Sequence, residues 1–348
     1  MLCAIIISDE YTFGELSMKL ILTLITAVVL GGFALGASAE SEFPKLHLRL
    51  GHTYSTDDVQ NQAAVMFANE VNSKTGGAVT VEIYPNFEIG DQDSLLEQTS
   101  LGAVDFSLVT EGTAASVVPR LQALTVPFLF NDYAHAHRVI DNFIKNWENE
   151  GYEQVGLHSL AIFDIGFRHI STKGPPIYTP EDLVGLEIRI PKYFGLKRSY
   201  LRYGANSKNI SYFNLYKAIS SGSVTASDIP LDILLSYTIY TVQQNLCLTY
   251  HYFDSQSLLI NADLYYSMDD RLRKIIDNAA YNAQELTREL IAEKEIVMLE
   301  ELKKKGVWIN TVNRTSFERV ITDVYREVAE KAGVDQMRKL LDNVNRFE

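Results

Sequence analysis

The segment 46–109 decides the fold, because its apolar residues switch between strand spacing and helix spacing. LHLRL (46–50), VTVEIY (79–84) and VDFSLV (104–109) carry the apolar pattern of strands, and each of the three stops at a turn or a polar residue. Between them, 57–73 and 93–101 carry apolar residues at helical spacing. This β-α-β-α-β order predicts an α/β fold built on mostly parallel, doubly wound sheets.

The carboxyl ends of these strands are the expected place for a ligand. In doubly wound sheets, ligands bind just beyond the strand ends, where the connecting loops open a crevice. Here those ends are 51–55, 86–91 and 110–113. We therefore expect residues of these three segments to line a binding site.

The rest of the chain predicts more strands and then a long helical tail. Strands are expected at 155–163 and 185–191, and a strongly helical stretch runs from 264 to about 305. Two amphipathic helices are expected in 313–347. The chain shows no internal repeat and no long run rich in Pro, Gly or Ser, which favours two α/β lobes packed without a flexible tether.

Composition excludes several classes of protein. Of 348 residues, 47% are hydrophobic and 22% are charged, which is typical of a globular chain. Lys and Arg number 31 against 44 Asp and Glu, so the net charge of −13 argues against nucleic-acid binding. Cys3 and Cys247 have neither metal-ligand spacing nor partners for a disulfide framework, and Cys247 is expected to be an inert buried residue.

The first 39 residues are interpreted as an upstream extension followed by a signal peptide. Lys19 precedes an apolar core at 20–35 and an Ala-Ser-Ala cleavage site at 37–39, so the signal is expected to start at Met18. The apolar core is shorter than the ~20 residues of a spanning helix. A buried or anchoring helix is the alternative. The mature chain is expected to begin near Glu40 in the periplasm, with no membrane span.

Motifs that would indicate an enzyme are missing. The sequence contains no Gly-x-Gly-x-x-Gly, P-loop, Gly-x-Ser-x-Gly or His-Glu-x-x-His. His135 and His137 lie two residues apart on a predicted helix, where they would not face each other, and we expect both to be solvated. The sequence therefore predicts no catalytic residues, no cofactor and no metal site.

Three groups of short segments, taken in order, resemble the periplasmic solute receptors of TRAP transporters, the DctP family. The first group is FANEV (67–71), TGG (75–77), VEIYP (81–85), GD (90–91), GAVDF (102–106), VP (118–119) and VPFLF (126–130). The second group is GFRH (166–169) and TPEDLVGLEIRIP (179–191). The third group is GA (204–205), YKAI (216–219), GSV (222–224) and IP (229–230). With the signal peptide and the helical tail, the resemblance covers essentially all of 44–345.

The resemblance implies a Venus-flytrap binding protein without catalytic activity. One lobe would take 40–166 and 255–294, and the other 167–254 and 295–348. The lobes would close on an organic acid, possibly a C4-dicarboxylate, and deliver it to the membrane subunits of a sodium-driven transporter. A monomer is expected.

The same resemblance assigns the binding residues. The arginine of the Gly-Leu-x-Ile-Arg segment, which pairs with the ligand carboxylate in the family, maps to Arg189. A second arginine, in Gly-Phe-Arg, maps to Arg168. A planar guanidinium matches a carboxylate better than a lysine can. The alternative for Arg189 is a structural ion pair with Glu187 or Asp182.

The sequence departs from the family pattern at this site. The family reads Val-Asp-Gly-x-Glu-Asn-Pro where this chain has VTASDIP (224–230), so Ile229 replaces an asparagine that usually binds the ligand. Ile165 also stands where asparagine is common. Tyr212 occupies the position of a phenylalanine over the ligand, and its hydroxyl could replace a lost donor. Ordinary core packing is the rival interpretation of Tyr212.

Three other functions remain open at this point. The chain could be a receptor for a different uptake system or a sensor on the same scaffold. It could be a diverged solute-binding protein that no longer binds a carboxylate. The third alternative, from a different class of protein, is an exported enzyme.

Overall fold

A nine-stranded mixed sheet organises residues 43–348, the part of the chain that this computed structural model describes. The strands are β1 (Leu46–Gly51), β2 (Val79–Tyr84), β3 (Phe106–Thr110), β4 (Leu157–Thr172), β5 (Glu187–Ile190), β6 (Asn206–Asn209), β7 (Ala226–Pro230), β8 (Asn245–Asn261) and β9 (Trp308–Thr311). Their order is β2-β1-β3-β8-β4-β7-β5-β6, and β9 pairs with β8. The predicted signal peptide lies outside the described residues.

Each half of the sheet has the parallel pairing that the sequence predicts. β1 pairs in parallel with β2 and β3, and β5 pairs in parallel with β6 and β7. The two halves are joined by β4 and β8, of 16 and 17 residues, which are antiparallel to each other. β4 extends well beyond the predicted strand at 155–163, and β8 was not predicted as a strand.

The long strand pair bends at residues close to its middle. The register between β4 and β8 shifts at three places, one of them between Asp164 and Gly166. Gly166 has a φ of +102°, and a Cβ there would lie 3.1 Å from both Ile291 and the Tyr133 hydroxyl. A β-bulge of this kind bends a strand and increases its twist. The glycine therefore fits both the backbone conformation and the crowded surroundings.

The helices cover the sheet and follow the predicted order. They are α1 (Val59–Lys74), α2 (Gln92–Ser100), α3 (Glu111–Ala114), α4 (Tyr133–Val139), α5 (Lys145–Tyr152), α6 (Phe194–Arg202), α7 (Tyr212–Ser220), α8 (Leu231–Ser236), α9 (Ala262–Ser267), α10 (Asp270–Lys304), α11 (Arg314–Val320), α12 (Thr322–Ala332) and α13 (Val334–Arg346). The strong helical stretch is confirmed by the 35 residues of α10. The tail forms three helices rather than the two that were predicted.

The buried apolar residues form separate cores, and two of these cores pack on α10. One core contains Phe67 and Phe106 and packs on the first half of α10 through Ile276. Another contains Leu215 and packs on the end of α10 through Leu302. The helix α10 thus contributes to both cores, as does β8, through Leu258 in the first core and Leu246 in the second.

The C-terminal helices contact elements from both predicted lobes. The Tyr325 hydroxyl donates to the carbonyl of Pro127 at 2.7 Å, and Arg198 of α6 pairs with Glu327. His135 Nε2 lies 2.9 Å from the carbonyl of Val344, and only 3% of this histidine is exposed. The expectation that His135 is solvated was therefore wrong, because α13 covers it. The lobe boundaries themselves remain predictions.

Two smaller observations complete the fold. Within residues 43–348, no helix is long and apolar enough to cross a membrane. Cys247 is fully buried, and burial raises the pKa of its thiol to about 11, so this thiol stays protonated at neutral pH. The expectation of an inert buried cysteine is confirmed.

Candidate functional site

A cavity of about 210 Å³ opens beyond the carboxyl ends of the strands. All three segments that the sequence singled out contribute to its wall, through Thr53, Phe87 and Thr110 among others. Residues after β5 and β6 form the facing wall. The lining residues are Thr53, Tyr54, Phe87, Asp91, Gln92, Asp93, Thr110, Thr113, Ile165, Arg189, Ile190, Pro191, Lys192, Tyr193, Asn209, Ile210, Ser211, Tyr212 and Asp254.

Arg189 lies in the wall of this cavity with part of its guanidinium unused. Its Nε donates to the carbonyl of Ile210 at 2.7 Å and its Nη1 to the carbonyl of Asp228 at 3.1 Å. The residue is 4% exposed, and burial lowers the pKa of its guanidinium. No carboxylate within the described chain forms an ion pair with it. Since a guanidinium has five N–H donors, Arg189 keeps donors for an anion in the cavity.

The rival partners of Arg189 are engaged elsewhere. Glu187 pairs with Lys208 at 2.8 Å, and Asp182 accepts the backbone N–H of Tyr178, also at 2.8 Å. Neither acid forms the structural ion pair with Arg189 that was the alternative to ligand binding.

Arg168 is placed differently, because acids of the protein already surround it. The side chain is fully buried and does not line the cavity. Its Nε pairs with Asp228, its Nη1 donates to Asp254 at 2.7 Å, and its Nη2 donates to the carbonyl of Asp228 at 2.6 Å. Nη1 also donates to the Tyr212 hydroxyl at 3.1 Å. Arg168 is therefore held by acids of its own protein, and its role in ligand binding stays a prediction.

The two acids around Arg168 differ in electrostatic setting. Burial raises the pKa of Asp228, but Arg168 and His251 outweigh it, so the pKa lies well below its usual range. His251 Nε2 is 2.9 Å from Asp228 Oδ2. Burial raises the pKa of Asp254, and Arg168 opposes this rise. Asp254 also accepts the Tyr193 hydroxyl at 3.1 Å, and it faces the cavity.

Tyr212 connects the two arginines. Its ring lies under the Arg189 guanidinium, with 4.3 Å from the guanidinium carbon to the ring centroid, while its hydroxyl accepts from Arg168. A cation over an aromatic face is a favourable arrangement. The half-buried ring also packs at the edge of the core around Leu215. Tyr212 thus lines the cavity and packs against the core at the same time.

The two isoleucines that replace family asparagines lie in different surroundings. Ile229 is fully buried in the core around Leu215, faces His169 across the β4–β7 pair, and does not line the cavity. Ile165 is 4% exposed and lies in the cavity wall. Of the predicted site residues, Arg189 and Tyr212 therefore share the cavity, whereas Arg168 and Ile229 lie behind it.

Contacts across the cavity mouth bring the two predicted lobes together. The Lys192 ammonium pairs with Asp93 at 2.8 Å. The Tyr193 ring lies so close to Gly112 that a Cβ there would be 2.1 Å from it. A glycine at 112 is thus required for this close approach.

The main residue that the sequence reasoning missed is Asp254. It lies in β8, which was not predicted as a strand, so its side chain was not assigned to any site. A signal was present, because a charged residue inside an apolar strand is rarely buried without a partner. Asp228, in β7, carries the same signal.

Comparison with known proteins places the chain in a family. The model of the bacterial extracellular solute-binding proteins, family 7, matches residues 50–332. The chain belongs to this family. These are solute-binding proteins of transport systems rather than enzymes, and the predicted TRAP-receptor identity is confirmed.

Relatives of known ligand support this placement. The chain is 26% identical over 315 residues to the 2,3-diketo-L-gulonate-binding periplasmic protein YiaO of Escherichia coli (strain K12), covering 90% of this chain and 96% of that one. It is 24% identical to the C4-dicarboxylate-binding periplasmic protein DctP of Rhodobacter capsulatus, covering 92% and 96%.

A solved structure confirms the two-lobe α/β fold class. The TRAP periplasmic solute-binding protein of Sulfitobacter sp. NAS-14.1, with bound β-D-galacturonate, superposes with a TM-score of 0.82 at 22% identity. The match covers 86% of this chain and 99% of that one. Within residues 43–348, no group of three or more His, Cys, Asp or Glu side chains is arranged to hold a metal ion.

Proposed function

We propose that this TRAP receptor captures an organic carboxylate in the cavity, with Arg189 as the anchor. The observation that carries the proposal is the state of Arg189: a buried guanidinium at the cavity wall, with free donors and no carboxylate partner in the described chain. Burying an unpaired charge is costly, and a ligand carboxylate would offset that cost. A bidentate pair with a guanidinium also fixes the orientation of the acid.

Relatives support an acid as the ligand. Two of them are named for the binding of acids, 2,3-diketo-L-gulonate and C4-dicarboxylates, and a protein of the same fold holds galacturonate. Each of these ligands carries at least one carboxylate. The carboxylate is therefore the shared chemistry that the anchor would recognise.

Capture by closure of two lobes is part of the proposal. The boundaries would be 40–166 with 255–294 for one lobe and 167–254 with 295–348 for the other. The Lys192–Asp93 pair and the packing of Tyr193 on Gly112 then hold a closed state. A hinge at the bulge near Gly166 fits this motion, because hinge closure is concentrated in a few residues.

Delivery to a membrane partner completes the proposed role. The chain would be exported to the periplasm by the segment from Met18 to Ala39, act there as a monomer, and pass its ligand to the membrane subunits of a TRAP transporter. The expected mature N-terminus is near Glu40. N-terminal sequencing of protein recovered from the native envelope tests the export step, and an intact Met1 would contradict it.

The decisive experiment compares acids with their neutral counterparts. Isothermal calorimetry is performed with a panel of organic acids and, for each acid, the alcohol or amide that lacks the charge. We expect binding of at least one acid, about −8 kcal/mol for a micromolar ligand, and none of its neutral counterpart. If no acid binds, or if the neutral molecule binds equally well, the carboxylate-receptor proposal fails.

A further inference from the structure

An aspartate of the protein lies in the cavity wall close to the arginines. Asp254 Oδ2 accepts from Arg168 Nη1 at 2.7 Å and Oδ1 accepts from the Tyr193 hydroxyl at 3.1 Å. The residue is only 2% exposed, yet it lines the cavity. A carboxylate has about four lone-pair sites, so two protein donors leave acceptor capacity for a ligand.

Two buried aspartates of the protein lie close to Arg168 before any ligand arrives. Arg168 and Arg189 supply two positive charges, and Asp228 and Asp254 supply two negative charges. The remaining cation in the wall, Lys192, is paired with Asp93 at the mouth. A second guanidinium is therefore not free for a second carboxylate, in contrast to what the sequence motif alone implies.

We infer that Asp254 sets the specificity of the receptor: the cavity takes a hydroxylated monocarboxylate and rejects a ligand with a second carboxylate. This inference rests on the proposed function, because it assumes that Arg189 holds the first carboxylate. The inference concerns the part of the ligand that lies away from the carboxylate bound by Arg189. There Asp254 accepts a hydrogen bond from a ligand hydroxyl.

Electrostatics gives the physical reason for the rejection. Like charges repel more strongly in a partly buried site than in water, so a second carboxylate near Asp254 is disfavoured. Like-charge juxtaposition is a common way to exclude a wrong ligand. A ligand ammonium would be repelled by the positive charge of Arg168, which is paired with Asp254. A ligand hydroxyl, in contrast, donates a hydrogen bond to Asp254 without adding charge.

The first test uses pairs of acids that differ at one end only. Erythronate and meso-tartrate, and gluconate and glucarate, share their length and the internal hydroxyls, but the second acid of each pair has a carboxylate in place of CH₂OH. Calorimetry on the unmodified receptor should show a preference for the monocarboxylate of about tenfold or more in any pair that binds. Equal binding, or tighter binding of the dicarboxylate, overturns the inference while the proposed function stands. If no member of either pair binds while another acid of the panel does, the inference is overturned and the proposed function stands.

The second test removes the charge of Asp254. In Asp254→Asn the side chain keeps its shape and Arg168 keeps Asp228, so we expect the preference within a pair to fall by about tenfold through a gain in dicarboxylate binding. Asp269→Asn is the matched control: Asp269 is exposed, does not line the cavity, and caps α10 by accepting from Leu272 N–H. Asparagine caps a helix as well as aspartate, and an exposed charge is screened.

The control variant should leave the preference within about twofold of the unmodified receptor. An unchanged preference in Asp254→Asn, or an equal change in both variants, overturns the assignment of specificity to Asp254. If Asp254→Asn does not fold, the pairs measured on the unmodified receptor still decide whether a second carboxylate is rejected.

Discussion

Arg168 and Arg189 both contact Tyr212, yet their surroundings differ sharply. Arg168 is enclosed by Asp228, Asp254 and backbone carbonyls, and it has no contact with the cavity. Arg189 donates to two backbone carbonyls and lies over the ring of Tyr212, it forms no ion pair within the described chain, and it lines the cavity. The difference shows that two arginines in family motifs can have very different charged surroundings. We expect the ligand anchor to be the arginine whose charge the protein has not already paired.

The largest expected effect is on the stability of the Arg168 cluster. Replacing Arg168 by methionine leaves Asp228 and Asp254 buried without their cation, and breaking such a pair costs about 3–5 kcal/mol. Denaturant unfolding followed by circular dichroism measures this loss. Arg189→Met is the matched control and should cost about 1 kcal/mol, because it removes hydrogen bonds but leaves no buried carboxylate without an ion-pair partner. Equal losses in the two variants would remove the distinction between the arginines.

The second effect is on ligand affinity and concerns Arg189. Truncating one partner of a buried charge pair costs about 2–5 kcal/mol, so Arg189→Ala should weaken binding by about 30-fold to several thousand-fold. Arg189→Lys should retain most of that loss, because a lysine keeps the charge but not the planar pair of donors. Calorimetry with an acid from the panel measures both. A folded Arg189→Ala protein that binds this acid as tightly as before would rule out the anchor role.

The third effect separates the two isoleucines. By the resemblance alone, restoring asparagine at 229 should add a ligand contact and strengthen binding. Because Ile229 is buried in a core and away from the cavity, we expect Ile229→Asn to destabilise the fold by about 2–3 kcal/mol instead. Ile229→Val, which adds no polar group, should cost only about 1 kcal/mol. Ile165→Asn should cost less stability than Ile229→Asn, because its amide can reach the cavity.

Thermal unfolding of the three variants distinguishes these expectations. A gain in ligand affinity from Ile229→Asn without loss of stability would show that position 229 faces the ligand after all.

The smallest effect is pH-dependent and concerns Asp232, close to the Arg168 cluster. Burial, and then the charge of Asp58, raise the pKa of Asp232 to about 7, with Asp254 adding to the rise and Arg168 opposing it. Its buried Oδ2 has no hydrogen-bond partner in the described chain. Since the unfolded chain releases this proton near its ordinary pKa of 3.8, the folded state is destabilised increasingly as the pH rises from there to about 7.

Replacing Asp232 by asparagine should remove this cost. We expect a stability gain of at least about 1 kcal/mol at about pH 8 that shrinks towards zero at about pH 4. Melting temperatures of both proteins across this pH range measure it. A gain that is the same at every pH would show that the aspartate is not held protonated.

Local patterns were sufficient for much of the fold. The switch between strand and helix spacing in 46–109 predicted the parallel half-sheet correctly. Each strand or helix buries one face, so its apolar residues recur at the period of that face. The long strand β8 was missed, since an almost fully buried strand shows no alternation to distinguish it. The exposure of His135 was predicted wrongly because α13 covers this residue. Val344 of α13 lies 209 residues from His135 along the chain, so no local pattern indicates the contact.

The sequence by itself determined the α/β class, the receptor family and the presence of two arginines in family motifs. Only the tertiary structure decided which arginine is free. Asp228 and Asp254 lie 60 and 86 residues from Arg168 along the chain, and the antiparallel pairing of β4 with β7 and β8 brings them to it. A motif records which side chain is present at a position. Whether its charge is available depends on partners that arrive from distant strands, and the motif itself does not show which residues those are.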